Sequence, residues 1–170
     1  VADSIHVVDS LKYTTKAGRI VYGGGGIMPD FFVPVDTTGN SEYFNSISRK
    51  GLVYTFAYAW ADEHRSELSK FTRAEEIDAY VSRQNVLNEF VQYAAGKGIQ
   101  KDNAGLKASQ LIIETQLKAY IARNIIGETG FFPIIQKIDK TLLRAIEISK
   151  QNLLVENISL NPKEKPVIAK

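Results

Sequence analysis

The 170-residue chain contains no cysteine. That excludes a disulfide framework, a thiolate zinc site and a cysteine nucleophile in one step. Long hydrophobic runs are also missing: no stretch approaches the ~18 apolar residues of a membrane span. The opening "VADSIHVVDS" has neither the charged start nor the apolar centre of a secretory signal. Charge of one sign is not in excess, with 21 basic and 19 acidic residues leaving a net +2. No basic tract is interleaved with aromatics, so nucleic acid is not an expected partner.

What is present is 44% hydrophobic and 24% charged residues, the balance of a globular domain. The length suits one domain with an appendage and is enough to bury a core without metals or cross-links. The chain opens on Val1 rather than Met, which suggests a processed or excised piece of a longer protein.

Residues 1–37 read differently from the remainder. "SIHVV", "KYTT", "RIVY" and "FFVPV" are short β-branched and aromatic runs, broken by turn-forming residues. Lys16-Ala17-Gly18 is a candidate hairpin turn, with Gly18 supplying a positive φ. Two or three such strands cannot bury a sheet face unaided.

From residue 38 the period is helical, and a bundle of about five helices is predicted over 38–150, with an extended tail over 151–170. Asn40 or Ser41 caps the first helix and Gly51 kinks or ends it. Val53, Phe56, Trp60 and His64 share a stripe on the second. "TRAE" at 72–75 has the form of a capping box, Thr72 accepting and Glu75 reaching back. Leu87, Phe90, Val91 and Ala94 mark a helix over 84–95 that ends at Gly96. Residues 97–105 form a polar loop. Leu106–Ile126 is a long helix with Ile113, Leu117, Tyr120 and Ile121 inward, stopped by Gly127. A last helix over 131–150 has Pro133 in its first turn. Its inner face is Ile134, Ile135, Ile138, Leu142, Ala145, Ile146 and Ser149.

No chemistry-bearing motif emerges from the residues themselves. The run Gly23, Gly24, Gly25, Gly26 is followed by Ile27 and Met28, not by the Lys a phosphate-binding loop requires. Met28 and Pro29 occupy the positions where a dinucleotide fingerprint needs glycine. A backbone path with unusual dihedrals, fixed by Pro29 and hydrogen-bonded by Asp30, explains the run better. His6 and His64 are far apart, so no metal site and no cofactor is expected. His64 reads as a solvated residue near a helix end. Asp62, Glu63, Glu75 and Glu76 read as solvated helix-surface carboxylates, and no serine stands in a nucleophile-elbow pattern. Asn157-Ile158-Ser159 matches a glycosylation sequon, a frequent chance match.

One longer stretch carries more. "KYTTKAGRIVYGGGGIMPDFFVPVDTT" resembles a segment of the carboxyl-terminal processing peptidases, the tail-specific serine proteases, in their Bacteroides-type form. There a T-x-x-GR-x-VYGGGGI-x-PD run marks the exit from the catalytic core. Thr15, Gly18, Arg19, Val21, Tyr22, Gly23 to Ile27, Pro29 and Asp30 follow it. "LKAYIARNIIGETGFFPIIQKIDKTLLRAIE" is similar to that family's closing helices, through Leu117-Lys118-Ala119, Ile121-Ala122-Arg123 and Asp139.

The resemblance implies that residues 1–37 are terminal strands of a peptidase core and that the helices form a C-terminal extension. It implies a Ser/Lys catalytic pair and a PDZ-like domain upstream, so no catalytic residue is expected in this chain. Gly18, Arg19, Tyr22, Gly23 to Gly26, Pro29 and Asp30 would be structural. The partners implied are the remainder of the peptidase and its polypeptide substrate, with self-association left open. The place implied is the periplasm or cell envelope. The alternative is an independent, non-enzymatic helical interaction module.

Overall fold

The computed structural model describes residues 12–16, 18, 20–23 and 31–151. The protein is mainly α-helical, with a two-stranded antiparallel hairpin near its start, as the sequence predicts. Eight helices and one 3-10 turn lie among the described residues. The chain divides into two compact units: residues 36–140, and residues 1–35 together with 141–170.

The unit 36–140 is built around one long helix. Ser41 accepts a hydrogen bond from the Phe44 N–H and starts α1 (Glu42–Arg49). Gly51, in the left-handed region, separates it from α2 (Leu52–Glu63). A single further turn, α3 (Arg65–Leu68), precedes α4 (Ala74–Val81) and α5 (Val86–Gly96). Then α6 (Asn103–Ile126) runs for 24 residues, about 36 Å at 1.5 Å per residue. It packs chiefly against α2 and α7 (Glu128–Ile135), with α1, α4 and α5 completing the surround. Ile113, Leu117 and Ile121 form the predicted stripe, but Ser109, Thr115, Ala119 and Ala122 are buried too. Tyr120 is only half-buried. A helix enclosed on several sides is apolar around much of its girth, so a single stripe understates its burial.

Several sequence readings need correction. The capping carboxylate of α4 is Glu76, which accepts from the backbone N–H groups of Thr72 and Arg73, both at 3.1 Å. Glu75 instead faces the Arg73 guanidinium at 3.3 Å. Helix α5 does end at Gly96, but the glycine that caps it is Gly98: it has φ +80°, its N–H donates to Ala95 O, and that of Ile99 donates to Ala94 O. That is a Schellman motif, closed by Ile99 packing on the core. The polar loop is shorter than predicted because Asp102 accepts from the Gly105 N–H and begins α6 three residues early.

The last predicted helix is two. Gly127, at φ +69°, ends α6 and lets α7 begin at once, which puts Pro133 in the helix interior rather than its first turn. Its missing donor leaves a helical bond unmade, and α7 stops two residues later. A 3-10 turn (Gln136–Ile138) and an extended Asp139 follow before α8 (Lys140–Lys150). The break resets the helical phase, so the predicted inner face does not hold. Ile134 is buried and Ile135, Ile138 and Leu142 are half-buried, whereas Ala145, Ile146 and Ser149 are exposed. In α8 the buried side chain is Ile148.

In the hairpin, β1 (Lys12–Thr14) pairs with β2 (Ile20–Tyr22), Tyr13 opposite Val21. Residues 31–37, which include "FFVPV", are in neither helix nor strand. Pro34 has no N–H to give a ladder.

Candidate functional site

The residues singled out in the sequence divide between described and undescribed chain. Gly18 has φ +79° and its N–H donates to Thr15 O at 2.9 Å, closing the hairpin turn in a conformation that disfavours any side chain. Tyr22 ends β2 opposite Lys12 and is exposed, and Gly23 follows it half-buried. Arg19, Gly24, Gly25, Gly26, Pro29 and Asp30 lie outside the described residues, as do His6 and the sequon at Asn157.

Within residues 36–140 the structure assembles a surface that no motif announces. Tyr54 projects from α2, away from the buried Val53, Phe56 and Ala57, and is 53% exposed. Its ring meets Tyr120 of α6 edge-on at 5.3 Å. Tyr120 meets Phe131 of α7 at 5.3 Å, and Phe131 meets Phe132 edge-on at 5.4 Å, with Phe132 55% exposed. These are the separations and tilts that aromatic quadrupoles favour. The Arg123 guanidinium lies 5.3 Å from the centre of the Phe131 ring and donates to Glu128 at 2.5 Å. Tyr58, exposed one turn beyond Tyr54 on α2, extends the face. The contributing residues are 54, 120, 123, 128, 131 and 132, from three helices. Only the tertiary fold brings them together.

Two carboxylates of this unit are held in ion pairs. Asp78 of α4 receives Lys118 of α6 at 3.2 Å and Lys137 of the 3-10 turn at 2.6 Å. Burial opposes its ionisation, but the Lys137 hydrogen bond and the Lys118 charge outweigh that and hold its carboxyl below the usual range. Beside it is a cavity of about 100 Å³ with a floor of Val81, Val86 and Leu117 and a rim of Ser82, Glu114 and Lys118.

A second pair joins the two ends of the unit: Asp36 meets Lys140 at 2.7 Å and accepts from the Thr38 N–H at 2.9 Å. Those hydrogen bonds, Lys140 first, bring the Asp36 carboxyl from 3.8 to about 2.

His64 is not the solvated residue predicted. It is half-buried, stacked on Trp60 with ring centres 3.8 Å apart, and its Nδ1 lies 2.9 Å from Trp60 O. Trp60 in turn donates to Glu89 at 2.8 Å. Asp62, Glu63, Glu75 and Glu76 are exposed, as expected. Among the described residues no three His, Asp or Glu side chains group as metal ligands, and no helix is long and apolar enough to cross a membrane.

Fold and surface together define a helical domain wrapped on one long central helix, with an aromatic face on its exterior. The sequence of that domain places it in a family: residues 43–127, from α1 to the Gly127 stop of α6, match the family of unknown function DUF8443. The match covers half of the chain, which belongs to that family. No curated protein and no solved structure matches it.

Proposed function

We propose that this chain is the helical C-terminal region of a serine-type carboxyl-terminal processing peptidase. In this reading it is a scaffold or interaction domain for a Ser/Lys catalytic core encoded upstream, in the periplasm or cell envelope. The observation that carries the reading is the run from Thr15 to Asp30, with its Gly-Arg, its Val-Tyr and four glycines in the peptidase order. The hairpin supports it. Tyr13, Val21 and Tyr22 are exposed on strands of three residues, too small a sheet to be stable by itself. Neighbouring strands of a catalytic core would cover them.

A second reading is favoured by one fact. The family match lies wholly inside residues 36–140 and leaves out the hairpin and the glycine run. That pattern suits an independent helical interaction module, used with or without a peptidase.

Reading the coding sequence upstream of Val1 separates the two. The peptidase reading expects a PDZ-like segment and an S-x-x-x-[FY]-G-K-like motif, and a full-length product that cleaves unfolded polypeptide and loses cleavage when that serine is replaced. A start codon directly ahead of Val1 contradicts it and leaves the module.

A further inference from the structure

We propose that the cavity between α6 and the α4–α5 junction is a binding site for a free α-amino acid with a small aliphatic side chain. The apolar lining sets the size. Val81, Val86, Leu87 and Leu117 border a space of about 100 Å³. An apolar cavity of about 150 Å³ holds a benzene ring, so this smaller one suits an isopropyl or isobutyl group and refuses an aromatic one. The charges at the rim set the rest of the ligand. Glu114 and Lys118 stand one turn apart on α6 in the order that favours an i,i+4 ion pair, yet they do not pair. Lys118 is drawn to Asp78 instead, and Glu114 accepts from the neutral Gln110 amide at 2.8 Å. Asp78 is shared between Lys118 at 3.2 Å and the closer Lys137 at 2.6 Å. Two cations on one carboxylate leave a positive charge over at Lys118, while no cation meets the Glu114 charge among the described residues. An apolar floor, a surplus cation and an unmet anion together match a zwitterion: carboxylate to Lys118, ammonium to Glu114, branched side chain inward. The Ser82 hydroxyl donates to Asp78 O at 2.7 Å and keeps its own lone pairs for the ammonium. A purely anionic or purely cationic ligand would satisfy one rim charge and leave the other. The site lies wholly within residues 36–140 and does not depend on the peptidase reading.

The test is a titration of the full chain with L-valine, followed by amide chemical shifts. Amides of residues 81–87 and 114–118, which carry the cavity lining, should shift together. They should saturate with a Kd on the order of 1 mM, modest because the ligand has few atoms. Isovalerate, which lacks the ammonium, and isobutylamine, which lacks the carboxylate, should each bind at least about tenfold more weakly, as should L-phenylalanine. Glu114→Gln should weaken valine at least about tenfold and leave isovalerate unchanged. Lys118→Gln should weaken both valine and isovalerate and leave isobutylamine unchanged. Lys137 keeps Asp78 paired in that variant, and circular dichroism checks its fold. No shift at about 20 mM valine, well above the expected Kd, overturns the proposal. So do shifts confined to residues away from the cavity, equal binding of valine and phenylalanine, or charge variants that bind valine as wild type does. Equal binding of N-acetylvalinamide, which carries neither charge, would assign the cavity to a side chain borne on a peptide and overturns it too.

Discussion

Phe90, in α5, exposes nothing to solvent, whereas Tyr13, in β1, exposes 58% of its surface. The two are similar in apolar bulk, and the difference is in what surrounds them. Phe90 meets Phe56 of α2 edge-on at 5.5 Å, inside a cluster that runs from Tyr43 to Ile134. Among the described residues Tyr13 has only a three-residue partner strand, facing Val21. Helices meet their backbone hydrogen bonds within themselves and need neighbours only for side-chain burial, which α6 supplies along its whole length. A strand needs neighbours for both. Residues 36–140 are therefore self-sufficient, and the hairpin is not.

Removing bulk from the core should show the largest effect. Phe90→Ala is expected to cost about 3–5 kcal/mol, as transfer energy plus a cavity between α2 and α5, measured by urea unfolding. Next comes the close crossing of α6 and α7. A Cβ at Gly130 would lie 2.6 Å from the Ala122 carbonyl oxygen, which is backbone and cannot swing aside. Gly130→Ala should cost about 1–3 kcal/mol by the same measurement, although alanine is the better helix former.

The ionic ties should matter less, and they carry a pH signature. Asp36 has a folded-state pKa of about 2, below its ordinary 3.8, and Asp78 is lowered in the same direction. The contribution of Asp36 is complete above 3.8 and is lost as pH falls toward 2, and that of Asp78 is lost on acidification in the same direction. The melting temperature of wild type should fall over that interval, and Asp36→Asn with Asp78→Asn together should flatten the fall. An unchanged profile in the double variant would assign the acid sensitivity elsewhere.

The smallest effect should come from the hairpin. Gly18→Val places a β-branched residue at φ +79°, a strain of roughly 1–3 kcal/mol on the turn. The melting temperature of α1 to α7 should not move, since the hairpin belongs to the other compact unit. A drop of several degrees would mean that the two regions unfold as one.

The same contrast explains what was legible in the sequence. The α5 stripe from Leu87 to Ala94, the stop at Gly127 and the α1 cap, where Ser41 rather than Asn40 accepts from the Phe44 N–H, all express local rules of capping and period. At the α4 cap the sequence points one position early, because Glu75 and Glu76 are adjacent and only the backbone path selects Glu76. Residues 102–105 look like loop, yet Asp102 caps a helix and Gly105 is buried in it. His64 looks like a surface residue beside charges, but the turn at the end of α2 lays it on Trp60. The aromatic face was beyond reading: residues 54, 120 and 131 share no period, and the packing of α2, α6 and α7 creates their contact.

Amide hydrogen exchange on the full chain tests the central claim most directly, because it reports both regions in one sample. The amides of Ile113, Leu117 and Ile121 should exchange only through global unfolding, with protection that falls when Phe90→Ala is introduced. The amides of the hairpin, Lys12–Thr14 and Ile20–Tyr22, should exchange near the rate of an unfolded chain and ignore that substitution. Equal protection in the hairpin and in α6, falling together in the variant, would contradict the account.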